Sequence, residues 1–233
     1  MIYFRPFSSH MKDIDIMDGA WPSLCSLSQV SQRWRALALF TPPLWANICV
    51  SYKYDPSLIT SVILICLSRA RDSPLHVSLR LYGRDADSQA DVQSVFESVC
   101  SKASRWKHFE LRVYGASLTR HCLNRSLSTP MLEHLTLYHD QDDSQKPIPF
   151  ILNAPALRHV CLTSNMIPCP WEQLTSFCYV TISSPTSTSF ADILPRLSQL
   201  RNLDMAADEF ANLALSLTVI PNLHTLALRQ PQN

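Results

Sequence analysis

Residues 132–138 read Leu132-Glu133-His134-Leu135-Thr136-Leu137-Tyr138: an apolar residue, two spacers, an apolar residue, one spacer, a third apolar residue. The same spelling recurs at Trp106/Phe109/Leu111, Leu157/Val160/Leu162, Leu200/Leu203/Met205 and Leu223/Leu226/Leu228. A weaker copy lies at Leu174/Phe177/Tyr179, and Leu75/Val77/Leu79/Leu81 reads as a degenerate first one. Between the second apolar positions (Phe109, Leu135, Val160, Phe177, Leu203, Leu226) the gaps are 26, 25, 17, 26 and 23 residues. In an extended chain Leu135 and Leu137 face one side, while His134, Thr136 and Tyr138 face the other. Each copy therefore predicts one short strand with a single apolar side.

Such a strand cannot hold itself. Burying a leucine contributes about 1.5–3 kcal/mol. Fixing the backbone costs about 1–2 kcal/mol per residue, so one apolar trio falls short of ordering a whole unit. Neighbouring units must close the core together. A return segment follows each strand, so the strands are expected side by side, parallel and in sequence order. A period of about 20–29 residues with this spelling is the mark of leucine-rich repeats. The expected fold class is α/β: a leucine-rich-repeat solenoid, with parallel strands on its concave face and helices or turns on its convex face. A small α-helical segment precedes it. The alternative, an ordinary α/β sandwich with coincidental spacing, has to explain five clean copies.

Composition agrees with a folded chain. At 233 residues there is room for one or two modest domains, and 46% apolar against 17% charged residues is globular usage. Three glycines against sixteen prolines mean turns set by the fixed proline φ and leave little for a phosphate-cradling glycine loop. A formal net charge of +1 supplies no field for nucleic acid. Eight cysteines contain no Cys-x-x-Cys pair, and Cys66 and Cys100 lie in apolar runs where a thiol behaves as a small hydrophobe. No apolar stretch follows a basic start, so no signal peptide is expected. The most apolar run, Leu58 to Leu67, is too short to span a bilayer. A reducing compartment, cytoplasm or nucleus, is the expectation, with neither a membrane nor a nucleic acid as partner.

Along the chain, residues 1–20 carry no period and are expected to be poorly ordered. Ser26 opens a helical pattern with Leu27, Val30, Trp34, Leu37 and Ala38 on one face. Thr41-Pro42-Pro43 stops it and predicts a second helix with Leu44, Trp45 and Ile48 on its apolar side. Asp55-Pro56 starts a further helix to about Ala70, Pro74 to Tyr82 reads as a strand, and Val92, Val95, Phe96 and Val99 recur at helical spacing. Return segments are expected at Ser117–Leu127, Pro149–Asn153, Phe190–Leu197 and Glu209–Leu217. The gap of 17 before Phe177 leaves room only for a turn through Pro168-Cys169-Pro170. The domains so read are 1–20, a partial helical segment at 21–50 and a repeat domain at 51–233. No polar capping repeat follows Leu228, so C-terminal truncation is expected.

Leu27-Ser28-Gln29-Val30-Ser31-Gln32-Arg33-Trp34-Arg35 through Thr41-Pro42-Pro43-Leu44-Trp45 resembles the second and third helices of an F-box. The segment is most similar to those of the fungal F-box/leucine-rich-repeat group. Pro74-Leu75, Arg105-Trp106 and Pro170-Trp171-Glu172-Gln173-Leu174-Thr175 also look like that group, so the likeness covers nearly the whole chain. Residues 1–24 hold no Leu-Pro pair and no apolar run like those of the family's first helix. The resemblance implies a substrate-recognition subunit of an SCF-type cullin–RING ubiquitin ligase, with an adaptor subunit, a cullin scaffold and an unknown target protein as partners. By the same resemblance Leu27, Val30, Trp34, Leu44 and Trp45 would hold or touch the adaptor, and ubiquitin transfer would belong to the partners. The alternative is a non-catalytic leucine-rich-repeat interaction module, or a degenerate paralogue, that does not bind the adaptor.

The spacers predict the binding surface. His108, His134 and His159 form one column on the outward side of the strands, continued by Ser176, Asn202 and Thr225. The next column reads Glu110, Thr136, Cys161, Cys178 and Asp204, and the third Arg112, Tyr138, Thr163, Val180 and Ala206. His108, Glu110, Arg112, His134, Thr136, Tyr138 and His159 are the expected partner contacts. Two histidines with Cys161 offer zinc-type ligands, but that face requires polar residues in any case, and neither a metal nor a cofactor is expected. No catalytic set emerges: there is no G-x-S-x-G, and Asp140, Asp142 and Asp143 read as a charged hairpin tip. Arg33-Trp34-Arg35 reads as a helix packing on its neighbours rather than a nucleic-acid patch.

Overall fold

The computed structural model describes residues 30–51, 56–82, 86–139, 150–163, 167–180, 193–206 and 220–229. Expectations at 1–20, Leu27, Asp55, Asp140, Asp142, Asp143 and Glu209–Leu217 lie outside the described residues. The described chain is mixed α/β, with eight strands in one open, wholly parallel sheet. These are β1 (Asn47–Ser51), β2 (Leu75–Tyr82), β3 (Trp106–Tyr114), β5 (His134–His139), β7 (His159–Thr163), β8 (Ser176–Val180), β9 (Asn202–Ala206) and β10 (Thr225–Arg229). They lie side by side in sequence order, with β1 and β10 at the edges. Two strands that the spelling does not mark, β4 (Ser126–Ser128) and β6 (Ile151–Asn153), pair in parallel as a separate small sheet.

A repeated turn launches the strands. The amide of the first apolar residue donates to the carbonyl three residues back at Leu132→Thr129, Leu157→Ala154, Leu174→Trp171, Leu200→Leu197 and Leu223→Ile220, at 3.1–3.3 Å. Pro130, Pro155 and Pro221 occupy the second position of three of these turns, where a fixed φ is already correct. The following residue then bonds to its counterpart one unit earlier: Glu133 to Lys107, Arg158 to Glu133, Thr175 to Arg158, Arg201 to Thr175 and His224 to Arg201. Register is thus set before each strand begins. Phe109, Leu135, Val160, Phe177, Leu203 and Leu226 fall into one row, and Leu111, Leu137, Leu162, Tyr179, Met205 and Leu228 into the next.

From β3 to β9 these rows are the core, whereas Leu226 and Leu228 on the edge strand β10 are exposed. Trp106 lies parallel to Phe109 at 3.9 Å between ring centroids, and Trp171 meets Phe177 edge-on at 5.5 Å. Helices cover the buried face at the N-terminal end: α2 (Pro56–Arg69), α3 (Ala86–Cys100) and α4 (Ala116–Leu123). Ile63, Val92, Val95, Phe96, Val99, Leu118 and Leu123 are buried with the strand residues. Gly115 begins α4 at φ 113°, a left-handed conformation that a β-carbon disfavours, and its carbonyl accepts from Thr119. Beyond β7 the described residues include two one-turn 3-10 segments, Trp171–Gln173 and Leu194–Arg196, the first lying where the gap of 17 leaves room only for a turn. Among the described residues, no helix is long and apolar enough to cross a membrane.

The N-terminal segment departs from expectation. Of the helical pattern expected from Ser26, α1 covers Gln32–Phe40: Ser31 is extended (φ −160°, ψ 166°), its hydroxyl caps the Trp34 amide at 3.2 Å, and Val30 lies outside the helix. The second expected helix does not. Pro42–Trp45 is a single 3-10 turn, and Asn47–Ser51 is a strand that straddles the expected boundary at residue 50 and pairs with β2. Pro42 and Pro43 lack amide donors, and Ile48 and Val50 alternate with exposed or half-buried neighbours. That alternation selects a strand.

The buried row predicts its own test. Phe109→Ala should cost about 3–5 kcal/mol, whereas Thr136→Ala on the opposite side should stay within about 0.5 kcal/mol. Urea unfolding of the two variants measures both.

Candidate functional site: the solvent-side face of the sheet

Parallel pairing brings the outward residues into columns. His108 pairs with His134 and His134 with His159, as their spacing predicts, and His76 pairs with His108 on the other side. The four imidazoles form one stack, with centroids 4.3, 4.1 and 4.1 Å apart and planes within 24° of parallel. His76 was hidden in the sequence because Leu75 is followed by one spacer where Trp106 is followed by two. The register shifts there, with Leu75 opposite Trp106 but His76 opposite His108. A ladder of this kind depends on neutral rings. Burial, then the neighbouring imidazoles, push His108 down to about 3, and burial with His159 pushes His134 to about 4. His76 and His159 are lowered as well, mainly by burial.

The stacked rings lie flat against one another, so their nitrogens lie alongside one another rather than converging. No group of three or more histidine, cysteine or acidic side chains is placed to hold a metal ion among the described residues. Cys161 is instead tied to Tyr138, whose hydroxyl lies 3.6 Å from its sulfur. Burial and Cys161 together push the Tyr138 phenol above its ordinary range. Cys161 faces Cys178 across the β7–β8 pair, and Cys178 faces Asp204 across β8–β9.

The third column is charged and aromatic. Arg112 bonds Glu110 at 2.6 Å, and its guanidinium sits 4.4 Å from the centre of the Tyr138 ring. One strand away, Arg80 is the register partner of Arg112, and two residues on Tyr82 and Tyr114 stack at 4.5 Å with planes 2° apart. Lys107 and Glu133 pair at 3.5 Å beside the histidines. The structure therefore brings together His108, Glu110, Arg112, His134, Thr136, Tyr138 and His159 on one half-buried face. It adds His76, Arg80, Tyr82 and Tyr114 to them. Thr163 leaves it: that side chain is buried, accepting from the His139 amide at 3.1 Å.

The F-box-like residues divide. Val30, Trp34, Leu37 and Phe40 are 66, 47, 58 and 73% exposed, so the expectation that Trp34 packs on neighbouring elements is corrected. Only Ala38 of the apolar face of α1 is buried. Trp45 is the reverse, 4% exposed, with its Nε1 donating to the Ala38 carbonyl at 2.7 Å and the Arg69 guanidinium 4.3 Å over its ring. Trp45 is therefore a structural residue that ties α1 and α2 together, and Leu44 packs half-buried against the core. No family model, curated protein or solved structure matches this chain.

The ladder sets a pH dependence. With folded pKa values lowered from 6.5, the unfolded chain binds more protons than the folded one as pH falls below about 6.5. Stability should therefore drop between about pH 6.5 and pH 4, and His108→Gln with His134→Gln should flatten that drop. Urea midpoints across this range measure it; a midpoint that does not move between pH 7 and pH 5 removes the effect.

Proposed function

We propose that this chain is a non-catalytic leucine-rich-repeat protein that recognises another protein with the solvent-side face of its sheet, as the substrate-recognition subunit of an SCF-type cullin–RING ubiquitin ligase. One observation carries the recognition role: parallel strands in sequence order align the outward side chains into columns, the first of them, from Asn47 through the histidines to Thr225, polar over all eight strands. Rings held by stacking and a guanidinium held by Glu110 have already lost rotamer freedom, so a partner meets a preorganised surface. Tyrosine and arginine, the residue types enriched at interface hot spots, sit together at Arg112 and Tyr138. In this reading the solenoid is the means by which one short strand pattern is extended into a surface wide enough for a protein.

The ligase arm of the reading draws on the F-box likeness and on α1. On α1, Trp34, Leu37 and Phe40 follow a helical spacing and are exposed to solvent. An adaptor would cover them. The role by resemblance of Leu44 and Trp45 is reassigned: Trp45 supports α1 through its bond to the Ala38 carbonyl, and Leu44 packs against the core. The second reading, an interaction module that does not reach the adaptor, is favoured by the replacement of the third F-box helix with one 3-10 turn.

Co-purification decides between them. Full-length protein is expected to retain the ligase adaptor, and Trp34→Ala with Leu37→Asp is expected to abolish retention while leaving thermal unfolding unchanged. Stable protein that fails to retain the adaptor leaves the interaction module standing and removes the ligase assignment.

A further inference from the structure

We infer that Cys161 and Cys178 are a redox site on the solvent-side face: a peroxide joins them in a disulfide across β7 and β8, and a thiol reductant releases them. The two are register partners in adjacent parallel strands, and neither is part of a disulfide. Both are half-buried, Cys161 between buried Val160 and Leu162, Cys178 between buried Phe177 and Tyr179. Both side chains therefore leave the sheet on its outward side. Adjacent strands run about 4.8 Å apart, and a disulfide joins Cα atoms about 4.4–6.8 Å apart. The β-carbons of a register pair stay near the strand spacing, wider than the roughly 3.8 Å of a relaxed disulfide. The bond therefore forms under strain, and a strained disulfide is the readily reduced, switching kind.

The other described cysteines do not offer this arrangement. Cys49 faces Ser78 across β1–β2. Cys66, Cys122 and Cys169 are buried. Burial pushes the Cys100 and Cys122 thiols up to about 12, so neither supplies a thiolate near neutral pH. At Cys161 the Tyr138 hydroxyl lies 3.6 Å from the sulfur and can donate to its thiolate, which favours that form. Cys161 is therefore the sulfur that reacts first. Its thiolate attacks hydrogen peroxide: an S–O bond forms, the O–O bond breaks, and the leaving hydroxide takes up the proton the thiol released, giving water. The Cys178 sulfur then attacks the Cys161 sulfenic acid. The S–S bond forms, the S–O bond breaks, and a second water carries off the Cys178 proton. Two thiols are oxidised and one peroxide is reduced. A cystine sulfur has neither a proton to donate nor a thiolate charge, so the step also removes the thiol partner of Tyr138, whose ring lies 4.4 Å from the Arg112 guanidinium.

The test requires neither adaptor nor target, so its outcome is independent of the recognition role and of the ligase assignment. Full-length protein is treated with hydrogen peroxide, denatured in iodoacetamide and cut after Arg158, Glu172 and Arg196. These cuts place Cys161 and Cys178 on different fragments, 159–172 and 173–196. The fragments should run joined after peroxide and apart after dithiothreitol, with tandem mass spectrometry placing the bond at Cys161 rather than Cys169. Cys161→Ser and Cys178→Ser should each remove the link, and in Cys178→Ser dimedone should trap a sulfenic acid at Cys161. Full alkylation or separate oxidation of the two cysteines overturns the site. So does a link through Cys169, or a Cys100–Cys122 link formed in its place. If either variant fails to fold, the fragment map of the parent still decides.

Discussion

Lateral backbone pairing between one strand and the next is the interaction on which everything else depends. Each strand carries two or three apolar side chains on one side, too few to be stable alone, and its edges hold unpaired amides and carbonyls. Both deficits are met only by neighbours above and below. The pre-strand turn makes the meeting repeatable. Its three-residue hydrogen bond fixes where the strand starts, and the bond from Glu133 to Lys107, and its counterparts down the sheet, fix what it starts against. Once register is set in this way, apolar rows and polar columns follow together, because side chains alternate with a period of two.

The same constraint generates the candidate site. A histidine at the first outward position of one unit is placed above the histidine of the next, and four in succession become a stack with spacings near 4.1 Å. Nothing in a single repeat encodes the stack. It is a property of the alignment, and it is bought with neutral rings, since protonating neighbours at this distance sets like charges against each other. The charged column obeys the same geometry with a different result: Arg112 finds Glu110 in its own strand and Tyr138 in the next.

Much of this was legible in the sequence, and the failures have identifiable causes. The strands at Phe109, Leu135, Val160, Phe177, Leu203 and Leu226 were legible because two-residue alternation survives any change in the return segments. Their neighbour relations were legible because the spelling fixes the start of each strand. His76 was not, because the register irregularity between Leu75 and His76 disguises it by one residue. The strand Asn47–Ser51 reads in sequence as the end of a helix, because Thr41-Pro42-Pro43 is a strong helix start and masks the alternation of Ile48 and Val50. The exposure of Trp34 was also unreadable, since an apolar helical face predicts burial without naming what does the burying. The small β4–β6 sheet has three residues in each strand, too few for any period to register.

The central claim, that the units are stable only as neighbours, is tested most directly by native-state hydrogen exchange on Leu135→Ala. The substituted residue lies in β5, between Phe109 and Val160. Loss of amide protection is expected to spread to Trp106–Tyr114 in β3 and His159–Thr163 in β7, the strands hydrogen-bonded to it on either side. Protection lost only within His134–His139, with β3 and β7 unchanged, would contradict the account.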